Sequence, residues 1–122
     1  MNTQNEKILF ETSNILLQIG IPGNVVGSKY LLRAVTLAIN DPSAISGITK
    51  TIYPLIAMEF GSKVSNIERG IRHAIEIAFN KGKITQLNHI FGVNIYGKNE
   101  KPANSEFIAL LATRIPFLLK NK

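Results

Sequence analysis

The amino-acid sequence predicts an all-α domain of six helices. Two observations carry the prediction. Apolar residues recur three and four positions apart along nearly the whole chain, the period of a helix with one buried side. Gly and Pro punctuate these segments, and no alternating run is long enough for a convincing strand.

The first helix spans about Asn5 to Ile19, with Ile8, Leu9, Thr12, Ile15, Leu16 and Ile19 on one side; Gly20 and Pro22 stop it. The second spans about Ser28 to Asn40, with Ser28 as N-cap and Tyr30, Leu31, Ala34, Val35 and Ala38 inward. Asp41-Pro42 ends it, because the residue before proline avoids the α region. A third helix fits Thr49 to Phe60, with Ile52, Tyr53, Ile56 and Phe60 apolar and Pro54 in or near its first turn. Gly61-Ser62-Lys63-Val64 then forms a turn. The fourth helix opens at Ser65, where Ser65 and Glu68 have the spacing of a capping box. Its buried stripe is Ile67, Ile71, Ala74, Ile75 and Ala78, and it ends at Asn80-Lys81-Gly82, with Lys81 near the helix dipole and Gly82 available for a left-handed turn. A short fifth helix covers Thr85 to Phe91. Residues 92–102 read as a loop, with Val93-Asn94-Ile95-Tyr96 as a brief extended candidate. The sixth helix opens near Asn104-Ser105-Glu106 and runs to Pro116, which breaks or kinks it.

With 122 residues, 45% of them hydrophobic, the chain reads as one domain over 1–122, with 1–6 and 117–122 as expected flexible tails. The absence of cysteine excludes disulfides, thiolate metal sites and cysteine catalysis. Asp41 is the only aspartate, so no aspartate-rich metal or phosphoacceptor pocket can be built. Fourteen Lys and Arg against eight Asp and Glu give a net charge of +6, which favours a polyanionic partner, nucleic acid first and acidic membrane second. The N-terminus lacks the pattern of a signal peptide, and no apolar run is long enough for a membrane span. A cytoplasmic, nucleoid-associated location is the expectation.

Two helices joined by a glycine-opened, four-residue turn have the sequence form of a helix-turn-helix. At 100° per residue, Arg69, Arg72, His73, Glu76 and Asn80 lie opposite the buried stripe of the fourth helix, with Glu68 at its edge. Recognition helices read base edges with their N-terminal part. Arginine donates two hydrogen bonds to guanine, and a carboxylate accepts from cytosine N4. A solvated face with Arg72–Glu76 and Arg72–Glu68 ion pairs is the competing reading. Gly70, in mid-helix, is best explained by close packing of another helix. His73 with Glu76, and the isolated His89, supply no third metal ligand, and no phosphate-binding glycine loop occurs, so neither an enzyme nor a cofactor is expected.

Gly47-Ile48-Thr49-Lys50, Tyr53-Pro54, Ile56-Ala57, Phe60, Glu68-Arg69, residues 71–76 (I-R-H-A-I-E) and residues 101–109 (K-P-A-N-S-E-F-I-A) resemble the C-terminal effector domain of the stage zero sporulation protein A family. The resemblance runs from about Phe10 to Arg114. It implies a six-helical fold with a helix-turn-helix that binds a TGNCGAA-like box of duplex DNA, often in tandem copies, to control transcription. Carried over by position, Glu68, Arg69 and Arg72 read bases. Lys63, Ser65, Asn66 and His73 are the expected backbone contacts. The family also touches RNA polymerase sigma factors through the segment after the recognition helix, here about 81–93, which places Lys83, Gln86 and Phe91 as contact residues.

The departures are specific. Asn66 stands where arginine is common, with Lys63 as its replacement, and Gly70 stands where alanine is usual. Residues 83–90 match poorly. The family's receiver domain is not in this sequence, so the chain reads as an expressed fragment or a receiver-less relative. Without that switch, weak self-association on tandem sites is expected to supply cooperativity. The alternative is a protein-interaction module that modulates a sporulation regulator or sigma factor without reading DNA, with the apolar Phe117-Leu118-Leu119 tail as a contact.

Overall fold

A computed structural model describes residues 3–121, and among these every regular element is helical. The order is α1 (Thr3–Gln18), α2 (Val26–Asn40), a 3-10 turn (Pro42–Gly47), α3 (Ile48–Thr51), α4 (Tyr53–Glu59), α5 (Val64–Asn80), α6 (Gln86–Phe91) and α7 (Asn104–Lys120). The described chain therefore has seven α-helices rather than six.

The extra helix comes from dividing the one expected over 49–60. Pro54 lies in the first turn of α4 and has no N–H to continue the ladder from α3. The chain stays close to helical through Ile52, whose N–H donates to Ile48 at 2.9 Å. Pro42 opens a 3-10 turn after Asp41 has left the helical region, at φ −137° and ψ 82°, so Asp41-Pro42 ends α2 as expected.

The core is built around α2, which packs against α1, α5 and α7. Leu31, Ala34, Val35 and Ala38 of α2 are fully buried among Ile15, Leu16 and Ile19 of the α1 region, Ile67, Ile71 and Ala74 of α5, and Phe107, Ile108 and Leu111 of α7. Thr12, also fully buried, satisfies its hydroxyl by donating to the Ile8 carbonyl at 2.7 Å.

Two N-caps differ from those expected. Helix α2 begins at Val26, with Val25 as N-cap, and Ser28 is buried inside it without a capping hydrogen bond. The two added residues are Val26 and Gly27, and Gly27 lies against α5. A methyl group on Gly27 would lie 2.1 Å from the Gly70 carbonyl oxygen, so the two backbones touch there. On Gly70 it would lie 2.9 Å from the Tyr30 ring. Helix packing thus explains both glycines.

Helix α5 begins at Val64, with Lys63 in the N-cap position and no side-chain cap. Ser65 lies two positions past the N-cap, inside the first turn, and the Ser65–Glu68 capping box does not form. The turn between α4 and α5 instead closes through backbone. Gly61 adopts φ +62°, and the Ser62 N–H donates to the Ala57 carbonyl at 2.8 Å.

Gly82 takes the expected left-handed conformation after α5, at φ +70°. Lys81 has a more distant task, since its ammonium donates to the Gly20 carbonyl at 2.7 Å and ties the end of α5 to the end of α1. Residues 93–96 form no strand. Asn88 of α6 holds them, accepting from the Ile95 and Tyr96 N–H groups and donating to the Tyr96 carbonyl. Pro116 does not end the last helix, which continues to Lys120. Residues 3–6 and 117–120, expected as tails, are helical, while Met1, Asn2 and Lys122 lie outside the described residues. Phe117 is exposed, and Leu118 and Leu119 are half-buried against the core. No described helix is long and apolar enough to cross a membrane.

Candidate nucleic-acid interface

The stripe of α5 is buried as the sequence requires: Ile67, Ile71, Ala74, Ile75 and Ala78 are each at most 1% exposed. Of the residues that the period places opposite them, Arg69, Arg72, His73 and Asn80 are exposed and Glu76 is half-buried. Ser65, Asn66, Arg69 and His73 are exposed side by side on the N-terminal half of the helix, with Lys63 exposed at its N-cap. Arg69 and His73 make no hydrogen bond or ion pair among the described residues. Asn66 donates to the Ser62 hydroxyl at 3.1 Å, across the turn.

Glu68 and Arg72 occupy the neighbouring flank, which turns toward the start of α7. Arg72 Nη2 donates to Glu68 Oε1 at 3.0 Å, the i,i+4 ion pair of the solvated-face reading. The Arg72–Glu76 pair does not form, because Glu76 accepts from Lys101 at 3.3 Å. Lys101 also lies over the Phe79 ring, 5.9 Å from its centre. The Glu68–Arg72 pair uses one carboxylate oxygen and one guanidinium nitrogen, leaving the other acceptors and donors for a ligand.

With the capping box absent, Glu68→Gln tests this exposed ion pair alone. It is expected to change stability by less than about 0.5 kcal/mol. A larger loss in urea unfolding would show that the carboxylate supports the helix in another way.

Sequence reasoning missed the elements that adjoin this flank. A cleft of about 450 Å³ opens between α5 and the start of α7, lined by Thr49, Tyr53, Glu68, Arg72, Lys101 and Asn104 among others. Asn104 donates from Nδ2 to the Glu68 backbone carbonyl at 2.9 Å. Burial pushes the Tyr53 phenol pKa up, a polar contact from Asn104 opposes the rise, and the nearby Glu68 adds to it. The Tyr53 hydroxyl therefore stays protonated at neutral pH. The signal for this region was the 101–109 segment, which carried the family resemblance without a role for its residues.

Lys83, Gln86 and Phe91 lie beyond the C-terminal end of α5, apart from the exposed face just described. Lys83 and Gln86 are exposed, and Phe91 is half-buried against the core.

Helix α5 is 17 residues long, about 25 Å at 1.5 Å per residue. A helix of ordinary diameter, about 10–12 Å, fits the major groove of B-DNA, about 12 Å wide. The exposed N-terminal half offers two guanidinium groups, a carboxylate, an amide, a hydroxyl and an imidazole, the donor and acceptor types that address base edges and phosphates. The family model described as "Sporulation initiation factor Spo0A C terminal" matches residues 12–115, from within α1 to within α7.

Proposed function

This chain belongs to the family of the sporulation initiation factor Spo0A C-terminal domain, and from that premise we propose that it is a sequence-specific DNA-binding regulator of transcription. In this reading α4 and α5 act as a helix-turn-helix, α5 enters the major groove, and a TGNCGAA-like box is the target. Glu68, Arg69 and Arg72 read bases, while Lys63, Ser65, Asn66 and His73 hold the backbone.

The observation that supports it most directly is Arg69, which has no hydrogen-bond or ion-pair partner among the described residues. A guanidinium on an exposed helix face with no intramolecular partner is ready to donate to guanine O6 and N7. Beside it, the Glu68–Arg72 pair juxtaposes an acceptor for cytosine with a donor for guanine. The expected partners are double-stranded DNA, then a sigma factor through Lys83, Gln86 and Phe91, with weak self-association on tandem boxes. No catalytic step is part of this function.

A gel-shift against a TGNCGAA-type duplex and a scrambled duplex tests the proposal directly. Binding that prefers the box supports it; binding to a protein partner with no duplex preference supports the interaction-module alternative. Salt dependence gives a second test. If Lys63 and nearby lysines together place about three cations on phosphates, the slope of log K against log salt is about −2.7, and a fourfold rise in salt lowers affinity roughly 40-fold. A flat salt profile would remove the duplex as ligand.

A further inference from the structure

Three residues proposed to read bases, Glu68, Arg69 and Arg72, lie within two turns of α5. Their usefulness depends on the rotation and tilt of that helix, because base readout tolerates only small displacements. The buried stripe and the Gly27–Gly70 contact hold the core side of α5. On the flank away from them, the side chain of Asn104 reaches the backbone from 36 residues along the chain.

The atom it reaches is the Glu68 carbonyl oxygen, which belongs to the peptide unit joining Glu68 to Arg69. One lone pair of that oxygen serves the helix ladder, and the Asn104 amide uses the remaining capacity. Asn104 is itself well anchored. It is the first residue of α7, whose opening turn is fixed by Glu106 Oε1 accepting the Ala103 N–H at 2.8 Å. Phe107 and Ile108, the next turn of α7, are fully buried. A rotation of α5 about its axis, or a shift away from α7, breaks this hydrogen bond.

We infer that Asn104 is a positioning residue for base readout, holding the Glu68–Arg69 peptide unit so that α5 presents Glu68, Arg69 and Arg72 at a fixed angle. The inference rests on the DNA-reading function proposed above. It gives the 101–109 segment a task distinct from direct contact with bases.

The test compares affinity for the box duplex with affinity for the scrambled duplex in the full chain. Asn104→Ala removes the donor. Asn104→Asp keeps the size but cannot donate when ionised, and a carboxylate in the first turn of α7 suits the helix dipole, which preserves folding if the alanine variant is unstable. Asn104→Ala is expected to lose about tenfold on the box and under about twofold on the scrambled duplex, consistent with loss of one hydrogen bond. For Asn104→Asp the added charge weakens both kinds of duplex, so the box-to-scrambled ratio is the readout, and it should fall in both variants. Ile115→Val, which loosens the core of α7 far from α5's first turns, should leave that ratio unchanged. A preserved ratio in the folded Asn104 variants overturns the inference while the parent's preference for the box stands. A parent chain without that preference overturns both.

Discussion

Gly27→Ala is expected to destabilise the fold by about 3 kcal/mol, a drop of roughly 10 °C in Tm for a domain of this size. The new methyl group would sit 2.1 Å from the Gly70 carbonyl oxygen and 2.9 Å from the Ala74 Cβ. Neither neighbour is the free end of a flexible side chain, so α2 and α5 must move apart. The gain in helix propensity from Gly to Ala, about 1 kcal/mol, offsets only part of this. Gly70→Ala meets a ring edge instead and should cost less, because Tyr30 can shift against Phe60, its edge-on neighbour at 5.2 Å. Gly47→Ala is the control, since nothing lies within 4 Å of the added group and φ is −150°. It should stay within about 0.5 kcal/mol of the parent. Thermal and urea unfolding followed by circular dichroism check all three. A Gly27→Ala chain as stable as the parent would mean that α2 and α5 do not meet at these glycines.

The second large effect concerns binding. Arg69→Ala should weaken binding to the box by about 1–3 kcal/mol and relax preference at one guanine. Because Arg69 has no intramolecular partner among the described residues, its loss should leave stability within about 0.5 kcal/mol. The separation of the two readouts distinguishes a contact from a structural residue. Arg69→Lys should keep the charge but lose the forked donor pair, so base preference should relax while the salt slope is retained. Site selection from a random duplex pool measures this. An unchanged preference profile for Arg69→Ala would remove the residue from base readout.

The exposed face of α5 was legible in the sequence because a helix's burial pattern is written in its own period. Ile67, Ile71, Ala74, Ile75 and Ala78 specify which side is inside, and Arg69 and His73 must then be outside. The same local logic identified the stops at Gly82 and Gly92, both in the left-handed region. Capping was less legible. Ser65–Glu68 has the spacing of a capping box, yet the helix had already started at Val64 and Glu68 is engaged with Arg72. A cap depends on where the first turn falls, and the closure of the Gly61 turn set that position.

By itself, then, the sequence determined the helical class, the buried stripes and the side of α5 that faces away from the core. Those are properties of short windows, where the hydrophobic period decides the outcome. Tertiary structure alone decided the partners: Glu76 with Lys101, 25 residues away, rather than with Arg72, and Asn104 on the Glu68 carbonyl, 36 residues away. It also decided that Gly27 and Gly70 meet. The physical reason is common to all three. Each depends on how segments distant in sequence are brought together by the burial of apolar helix faces, and no local period encodes which polar groups then fall within 3 Å or so of one another.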